Sequence, residues 1–247
     1  MKRRLCGPHA VAEALRAGAT EIAIVYAARS GGAETHRAIL EQARRASVVV
    51  ELCDTRALDQ LAHGVRHQGI IAISDGDYPY IDVEALVAAA ATPALIVALD
   101  EIQDPHNFGA IVRSAVAFGA DGVITLRHRA APVSAVVVRA SAGATEHARI
   151  ARATNLVRAI EVLADAGIQS LGLDADAPVA IGDVDLRVPT VVVVGSEGVG
   201  LRRLVRERCS VIARIPMAGP LGSLNASVAA ALALYEAVRQ RRGAALR

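Results

Sequence analysis

Short apolar segments alternate with amphipathic segments along most of this chain, and that alternation is the strongest constraint on its fold. In the second half, apolar runs suited to strands cover residues 94–99, 122–126, 170–173, 190–194 and 211–215. Helical patterns separate these runs, and the four consecutive valines from Val191 to Val194 are typical of an interior strand. The sequence therefore predicts an α/β fold in which helices cover both faces of a mostly parallel sheet.

The same alternation in the first 75 residues predicts a smaller α/β module. Its predicted helices and strands are residues 8–16, 22–26, 33–45, 48–53, 58–63 and 70–73. Turn-forming residues then interrupt the pattern at 75–80, and an alanine-rich stretch ends at Thr92-Pro93. We therefore predict a first domain at 1–75, a linker at 76–93 and a second domain at 94–247, which fits the usual size of domains.

Composition excludes several classes of protein. Apolar residues make up 53% of the chain and charged residues 21%, which is too apolar for a disordered chain. The apolar stretch 85–99 is shorter than a bilayer requires and contains Pro93, so no membrane partner is expected. Glu13 and Arg16 interrupt the apolar run that a signal peptide would need, so a cytoplasmic location is expected.

Charge and cysteine content exclude fewer classes of protein. The net charge of +2 does not indicate a nucleic-acid partner by itself. Every basic residue except Lys2 is arginine, which suits phosphate contacts, although genome composition explains the same bias equally well. Cys6, Cys53 and Cys209 are far apart and form no CxxC pair, so neither a disulfide framework nor a metal site is predicted.

Three polar clusters are candidates for chemistry, and the first follows the strand predicted at 94–99. Asp104 and Pro105 are typical of a helix N-cap and first turn, although Gly109 would allow a later start. Asn107 and Arg113 are six residues apart, about 600° of ideal helix, so they meet only if Asn107 lies in a loop. A polar helix start with a solvent-facing arginine is the simpler interpretation of this stretch.

The second cluster, Gly195-Ser196-Glu197-Gly198-Val199-Gly200-Leu201, follows the valine strand. Glycines at the carboxyl end of a parallel strand let a ligand approach the backbone. The pattern is not the GxGxxG fingerprint of dinucleotide-binding enzymes, which disfavours a dehydrogenase. Glu197 has a simpler alternative role as a carboxylate at a helix terminus.

The third cluster, residues 215–227, combines two prolines and two glycines in a stiff loop before an apolar helix. Ser223, Asn225 and Ser227 could each cap that helix, but capping accounts for only one of them. Such a loop can form a small ligand pocket from backbone groups.

In this order and near these spacings, the three clusters closely resemble the signature motifs of the SpoU (TrmH-like) RNA ribose 2′-O-methyltransferases of the SPOUT superfamily. The resemblance covers residues 94–241. Residues 7–15 and 67–70 look like the ribosomal-protein-like RNA-binding domain that accompanies some members. Together with residues 141–146 and 215–217, they indicate the RlmB-type subgroup, which methylates a guanosine ribose in large-subunit (23S) ribosomal RNA.

The resemblance implies a C-terminal segment threaded through a trefoil knot that holds S-adenosyl-L-methionine. Carried over residue by residue, it implies cofactor contacts from Gly195, Gly198, Ile215, Met217 and Leu224. It places Asn107, Arg113, Glu197, Ser223 and Asn225 at the family's active-site positions. It also implies a homodimer, for which Val228, Ala231, Leu232, Tyr235 and Val238 offer an apolar face, and it implies an RNA rather than a DNA partner because the target is a ribose hydroxyl.

Under this resemblance, Arg113 either accepts the proton of the 2′-hydroxyl or stabilises the developing alkoxide. A guanidinium group stays protonated near neutral pH and is a poor base, so the electrostatic role carries equal weight. Arginines that border the site, among them Arg127, Arg129 and Arg139, are candidate RNA contacts. The alternatives are a transfer-RNA ribose methylase, a resistance-type ribosomal RNA methylase, and a non-catalytic RNA-binding protein. The mark of the last would be loss of Arg113, Asn107, Glu197 or Asn225, and all four are present.

Overall fold

The computed structural model describes residues 2–18 and 21–245, and these divide into two compact units. The first unit consists of Met1–Pro79 and Pro132–His147, and the second of Tyr80–Ala131 and Ala148–Arg247. A bilayer-spanning helix is absent from the described residues. The α/β class predicted from the alternation of patterns is confirmed in both units.

The first unit contains a four-stranded sheet in the order β1-β4-β2-β3. The strands are β1 (Arg3–Cys6), β2 (Ile22–Ala28), β3 (Val49–Cys53) and β4 (Ile70–Ser74). The helices are α1 (Pro8–Gly18), α2 (Gly32–Thr35), α3 (Arg37–Arg45), α4 (Thr55–Ala62) and, from the later segment, α7 (Ala135–Ala140). Only β2 and β3 pair in parallel, because β4 runs antiparallel to both of its neighbours.

The second unit contains a fully parallel seven-stranded sheet in the order β7-β6-β5-β10-β8-β11-β9. The strands are β5 (Leu95–Asp100), β6 (Gly122–Leu126), β7 (Ile150–Ala153), β8 (Gln169–Leu173), β9 (Val179–Ala180), β10 (Thr190–Gly195) and β11 (Val211–Arg214). The helices are α5 (Val83–Ala88), α6 (Pro105–Ala117), α8 (Leu156–Asp165), α9 (Arg203–Arg208) and α10 (Ala226–Ala245).

Helices cover both faces of this sheet, as the sequence predicts. On one face, Leu86, Leu156, Leu163 and Val205 from α5, α8 and α9 form one buried cluster with sheet residues such as Ile124. On the other face, α6 packs on β6, and α10 packs on β10 and on α6. The valine strand lies in the middle of the sheet, where all four valines are at most 2% exposed. The trefoil knot stays a prediction, because strand order alone does not specify how the chain is threaded.

The observed units differ from the predicted boundaries at 75, 93 and 94. Residues 76–79 of the predicted linker belong to the first unit and residues 80–93 to the second, where the backbones of Ile81 and Arg152 hydrogen-bond and helix α5 buries Leu86. The sequence predicts that residues 132–147 lie in the second domain, but they belong to the first unit. Val138 enters the core around Leu5 there.

Polar contacts also hold residues 132–147 in the first unit. Arg3 donates to Glu146 at 3.2 Å, and the Tyr78 hydroxyl donates to the Thr145 carbonyl at 2.9 Å. Such contacts connect residues more than 60 positions apart in sequence, so local patterns could not reveal them.

Helix α6 begins where the first cluster predicts it. Asp104 caps the helix by accepting the N–H groups of His106 and Asn107, each at 3.1 Å, and Pro105 occupies the first turn. Gly109 does not delay the start, because the cap and the proline together offset the roughly 1 kcal/mol that a helical glycine costs. Asn107 is therefore helical and does not lie in a loop, so it does not share a face with Arg113.

Candidate active site

The candidate site is a cavity at the carboxyl edge of the parallel sheet, formed where β8, β10 and β11 end. Its volume is about 550 Å³, within the range of small-molecule sites. Three loops line it, namely residues 173–176 after β8, 194–201 around the end of β10 and 215–226 after β11, with Ala229 of α10. The last two loops are the second and third clusters of the sequence.

The loop after β10 folds back on itself in a tight turn. Ser196 and Gly200 exchange backbone hydrogen bonds of 3.2 and 2.9 Å, and Gly198 and Gly200 adopt φ values of +80° and +71°. A Cβ at Gly195 would lie 2.2 Å from the carbonyl carbon of Gly200. Glycine is therefore required at 195 for this turn, and the turn exposes Glu197 at the mouth of the cavity.

Much of the backbone in the third loop, residues 215–226, is not hydrogen-bonded within the part of the chain that the structure describes. From Pro216 to Leu224, no backbone N–H or C=O group hydrogen-bonds to another group in the described residues. Ile215 and Leu224 supply apolar surface beside these groups, and Met217 is 37% exposed. Unpaired backbone donors and acceptors beside an apolar floor suit a planar heterocycle that carries both kinds of polar group.

A polar cluster joins all three sequence motifs at one end of the cavity. The Asn107 side-chain amide donates to Glu197 Oε1 at 2.8 Å, and Asn225 donates to Asn107 Oδ1 at 3.0 Å. Asn225 also donates to Glu197 Oε1. Its own Oδ1 caps helix α10 by accepting the Ser227 N–H at 2.9 Å. Asn107 is 8% exposed, so its position is fixed by packing as well as by these bonds.

The structure places most of the predicted site residues together. The predicted cofactor residues Gly195, Gly198, Ile215, Met217 and Leu224 all line the cavity. Glu197, Ser223 and Asn225 line it too, and Asn107 reaches it through its bonds to Glu197 and Asn225. Arg113 is the exception, because it lies on the exposed face of α6 and is not part of the cavity lining.

Sequence reasoning missed the loop after β8. Leu173, Asp174 and Asp176 line the cavity because β8 lies between β10 and β11 in the sheet. Arg206 Nε donates to Asp174 at 2.7 Å, and this bond, with that of the Asp176 N–H, lowers the pKa of the Asp174 carboxyl. Asp174 and Asp176 follow the predicted strand at 170–173, but no local signal shows that this strand lies between β10 and β11.

Comparison with known proteins identifies the family to which the chain with this cavity belongs. Residues 94–235 match the model of the SpoU rRNA Methylase family, and residues 4–79 match the model described as RNA 2′-O ribose methyltransferase substrate binding. The chain belongs to the SpoU methylase family. Members of this family use S-adenosylmethionine, and the activity of this SpoU methylase is methyl transfer to RNA.

Relatives and solved structures agree with this assignment. The SpoU methylase is 47% identical over 241 residues to an "Uncharacterized tRNA/rRNA methyltransferase" of Mycolicibacterium vanbaalenii, covering 96% of this chain and 76% of that protein. The crystal structure of the SpoU methyltransferase AviRb from Streptomyces viridochromogenes in complex with AdoMet matches with a TM-score of 0.80 and 28% identity, covering 98% of this chain and 91% of that one. The crystal structure of an AdoMet-bound rRNA methyltransferase from Sinorhizobium meliloti matches with a TM-score of 0.79 and 26% identity. The match covers 96% of this chain and 87% of that one.

The residues of the cavity fit S-adenosylmethionine. The free backbone groups between Pro216 and Leu224 match the donors and acceptors of an adenine ring, and the apolar floor matches its faces. Glu197, Asp174 and Asp176 place carboxylates around the same cavity. Carboxylates suit a ligand that carries an ammonium and a sulfonium cation.

Proposed function

We propose that this SpoU methylase transfers the methyl group of S-adenosylmethionine to the ribose 2′-oxygen of a guanosine in large-subunit ribosomal RNA. The observation that carries the proposal is the meeting of Asn107, Glu197 and Asn225, one residue from each motif, at the end of the cavity. The family model matched by residues 4–79 is named for ribose 2′-O-methyltransferases, which supports the ribose as the target. Ribosomal RNA as the substrate implies a cytoplasmic enzyme.

The proposed roles follow from the geometry. Gly195, Gly198, Ile215, Met217 and Leu224 hold the cofactor, which supplies an electrophilic methyl group on a sulfonium centre when bound. Asn107 and Asn225 hold the Glu197 carboxylate in one orientation, and Glu197 positions the ribose for in-line attack. Ser223 offers a free hydroxyl at the cavity wall, since it has no hydrogen bond in the described residues.

In this proposal, Arg113 acts at the cavity of a second copy of the chain. It lies six residues beyond Asn107, about 9 Å along the helix and on another face, and it has no ion pair in the described residues. The neighbouring helix α10 exposes Val228, Leu232 and Tyr235 in one stripe, and the Tyr235 ring packs edge-on against Phe118 with centroids 6.3 Å apart. A homodimer formed through this surface would bury the stripe and bring Arg113 of the partner subunit to the cavity.

In that position Arg113 acts as an electrostatic group. Guanidinium groups remain protonated in proteins, so the arginine stabilises negative charge that develops on the 2′-oxygen while the hydroxyl proton passes to solvent water, and it does not itself accept that proton. This choice between the two roles left open by the sequence predicts that the activity lost on replacing Arg113 is partly restored by lysine at neutral pH.

The proposed function is tested with a labelled-methyl assay on naked 23S ribosomal RNA, assembled large subunits and transfer RNA, followed by mapping of the modified nucleotide. We expect incorporation into one guanosine of the large-subunit RNA, in a form that resists alkaline cleavage at that nucleotide. Incorporation into transfer RNA would favour the transfer-RNA methylase instead. RNA binding without incorporation into any of the three would favour the non-catalytic alternative.

The dimer predicts a specific effect of charge on helix α10. Leu232 is 41% exposed, and Leu232→Glu should convert the dimer to a monomer, because a carboxylate in the buried interface would be unpaired. Methyl transfer should fall with the dimer population. Light scattering coupled to size exclusion measures the first effect. Val188→Glu is the matched control, since Val188 is also 41% exposed but lies outside α10; a dimeric Leu232→Glu protein would contradict the interface.

The polar cluster predicts a pH-dependent defect. Asn107→Asp replaces the amide that lies 2.8 Å from Glu197 with a carboxyl group. Because two adjacent carboxylates resist ionising together, the pKa of the introduced carboxyl should be raised. At pH 8 we expect kcat to fall about 10- to 100-fold, as expected for a lost hydrogen bond to a charged group. The deficit should narrow as the pH falls, because the protonated carboxyl donates again.

The measurement is the ratio of variant to unchanged kcat at pH 6 and pH 8, with the Kd for S-adenosylmethionine as the control for an intact cavity. A ratio near one at both pH values would show that the bond between residues 107 and 197 does not support the reaction, and a low ratio that does not change with pH would show that protonation does not restore the bond.

A further inference from the structure

A group of basic side chains lies at the carboxyl edge of the sheet, on the side away from β8 and β11. Arg127, His128 and Arg129 directly follow β6, Arg152 lies near the end of β7, and Arg202 and Arg203 begin helix α9. We call these six residues the basic rim. They line two further cavities, of about 460 and 360 Å³, that the proposed reaction does not use.

Half of the basic rim is neutralised within the chain. Arg202 bonds to the fully buried Asp100 through its side chain and its backbone N–H, at 2.6 and 2.8 Å. Glu101 accepts from both Arg202 and Arg129, and Arg203 pairs with Glu207. These arginines are held in place by acidic partners and contribute little net positive charge.

Arg127 and Arg152 are different, because neither forms an ion pair in the described residues. Arg127 is exposed. Arg152 is half-buried, its guanidinium carbon lies 3.6 Å from the centre of the Tyr80 ring, and its Nε is covered without a hydrogen-bond partner. Asp82 lines the same cavity, but its carboxylate accepts the Ala85 N–H as a helix cap. Two arginines therefore share the 360 Å³ cavity with a single carboxylate, which caps a helix and forms no ion pair with either of them in the described residues.

Such an arrangement favours an anion from outside the chain. A partly buried cation without a counter-charge is unfavourable, and an arginine guanidinium binds phosphate oxygens with good geometry. The Arg152 guanidinium covers one face of Tyr80, so this site suits a phosphate better than a base stacked on that face. The chemistry of the site is therefore that of a phosphodiester.

The position of the basic rim indicates which phosphodiester. The rim and the cofactor cavity lie at the same edge of one parallel sheet, because the carboxyl ends of its strands all meet there. Strands β10 and β7 are separated by β5 and β6, a distance of about 14 Å at the usual strand spacing. If the ribose of one nucleotide lies at the cofactor cavity, the phosphates of the neighbouring nucleotides lie within reach of the basic rim.

We infer that the basic rim binds phosphates of the substrate RNA beside the methylated nucleotide, with Arg127 and Arg152 as the principal contacts. The inference rests on the proposed function for its substrate, because it takes the bound RNA to be the methyl acceptor. Arg129 and Arg202 support the edge by fixing Glu101 between them. The contacts are to the backbone and therefore set affinity and register, not sequence.

The test is RNA binding by the full chain as a function of salt, with a 23S ribosomal RNA transcript and a transfer RNA as probes. Arg127→Gln and Arg152→Gln are compared with Arg149→Gln. Arg149 is a matched control, because it is also exposed, has no ion pair in the described residues and lies before β7, at the opposite edge of the sheet. The Kd for S-adenosylmethionine and the thermal unfolding midpoint show whether each variant retains its fold.

We expect Arg127→Gln and Arg152→Gln each to weaken RNA binding about five- to tenfold. Each should also lower the slope of log K against log salt by about 0.7–0.9, the value for one lost phosphate contact. Arg149→Gln should leave both unchanged. Because Arg152 is half-buried, Arg127→Gln decides the matter if Arg152→Gln is destabilised.

An unchanged slope in Arg127→Gln, or an equal decrease in Arg149→Gln, would overturn the inference. A loss of affinity without a change in slope would also overturn it, since phosphate contact would then not be the cause. These results do not depend on methyl transfer. If the enzyme methylated neither RNA, the proposed function would be contradicted. The salt dependence of RNA binding by Arg127→Gln and Arg152→Gln would still show whether the basic rim contacts phosphates.

Discussion

Replacing Arg113 with alanine is expected to lower kcat for RNA methylation by at least about a hundredfold, the usual cost of removing one group that stabilises developing charge. The Kd for S-adenosylmethionine should change less than twofold, because Arg113 does not line the cofactor cavity of its own chain and is proposed to act on the ribose, not on the cofactor, at the cavity of the partner subunit. Arg113→Lys should recover part of the activity, since it keeps the positive charge but loses the planar fork of donors. Steady-state kinetics and calorimetric titration measure the two quantities.

A mixing experiment separates action within one chain from action across the dimer. Arg113→Ala and Glu197→Ala should each be inactive as homodimers. If Arg113 acts in the cavity of the partner subunit, each mixed dimer contains one complete site, and a statistical mixture should regain about a quarter of full activity. An inactive mixture that forms mixed dimers would show that Arg113 does not act across the interface. An active Arg113→Ala homodimer would remove Arg113 from the mechanism.

The second large effect is expected at Gly195. In Gly195→Ala the new methyl group would lie 2.2 Å from the Gly200 carbonyl carbon and 2.4 Å from the Leu201 nitrogen, and backbone cannot move aside as a flexible side chain can. The turn that carries Glu197 must therefore open, and the cavity wall moves with it. We expect the affinity for S-adenosylmethionine to fall at least about a hundredfold, since several backbone contacts shift together.

Gly182→Ala is the control for this substitution, because a Cβ at Gly182 meets nothing within 4 Å and the residue does not need a positive φ. Calorimetric titration with S-adenosylmethionine gives the affinity, and thermal unfolding shows whether the loss is local. If Gly195→Ala bound the cofactor as tightly as Gly182→Ala does, the turn would not be part of the cofactor site.

Much of this architecture could be predicted from local sequence. The valine strand, the cap at Asp104 and the glycine loop at 195 each depend on near neighbours in the chain, and the structure contains all three. The convergence of the three clusters was implied by their resemblance to the SpoU motifs and not by local pattern. For the strand, the cap and the loop, the physical cause, such as burial on both faces or a helix cap, lies within a few residues.

The features that escaped prediction depend on distant pairing. Sequence does not show that β8 lies between β10 and β11, so the aspartates at 174 and 176 could not be placed at the cavity. Residues 132–147 could not be assigned to the first unit, because the contacts of Val138 and Glu146 are with residues near the chain start. The location of Arg113 relative to the cavity depends on which face of α6 is buried, and that is set by α10.

The segment Pro132–His147 has a consequence for how the protein is made. The smaller unit lacks part of its own interior until residue 147 has been synthesised. By then the strands β5 and β6 of the larger unit have already been translated. Folding on the ribosome therefore cannot proceed as two successive steps from the N-terminus, as it does for domains arranged in tandem. A gene fragment that ends at residue 79 would encode a body with an unfilled core.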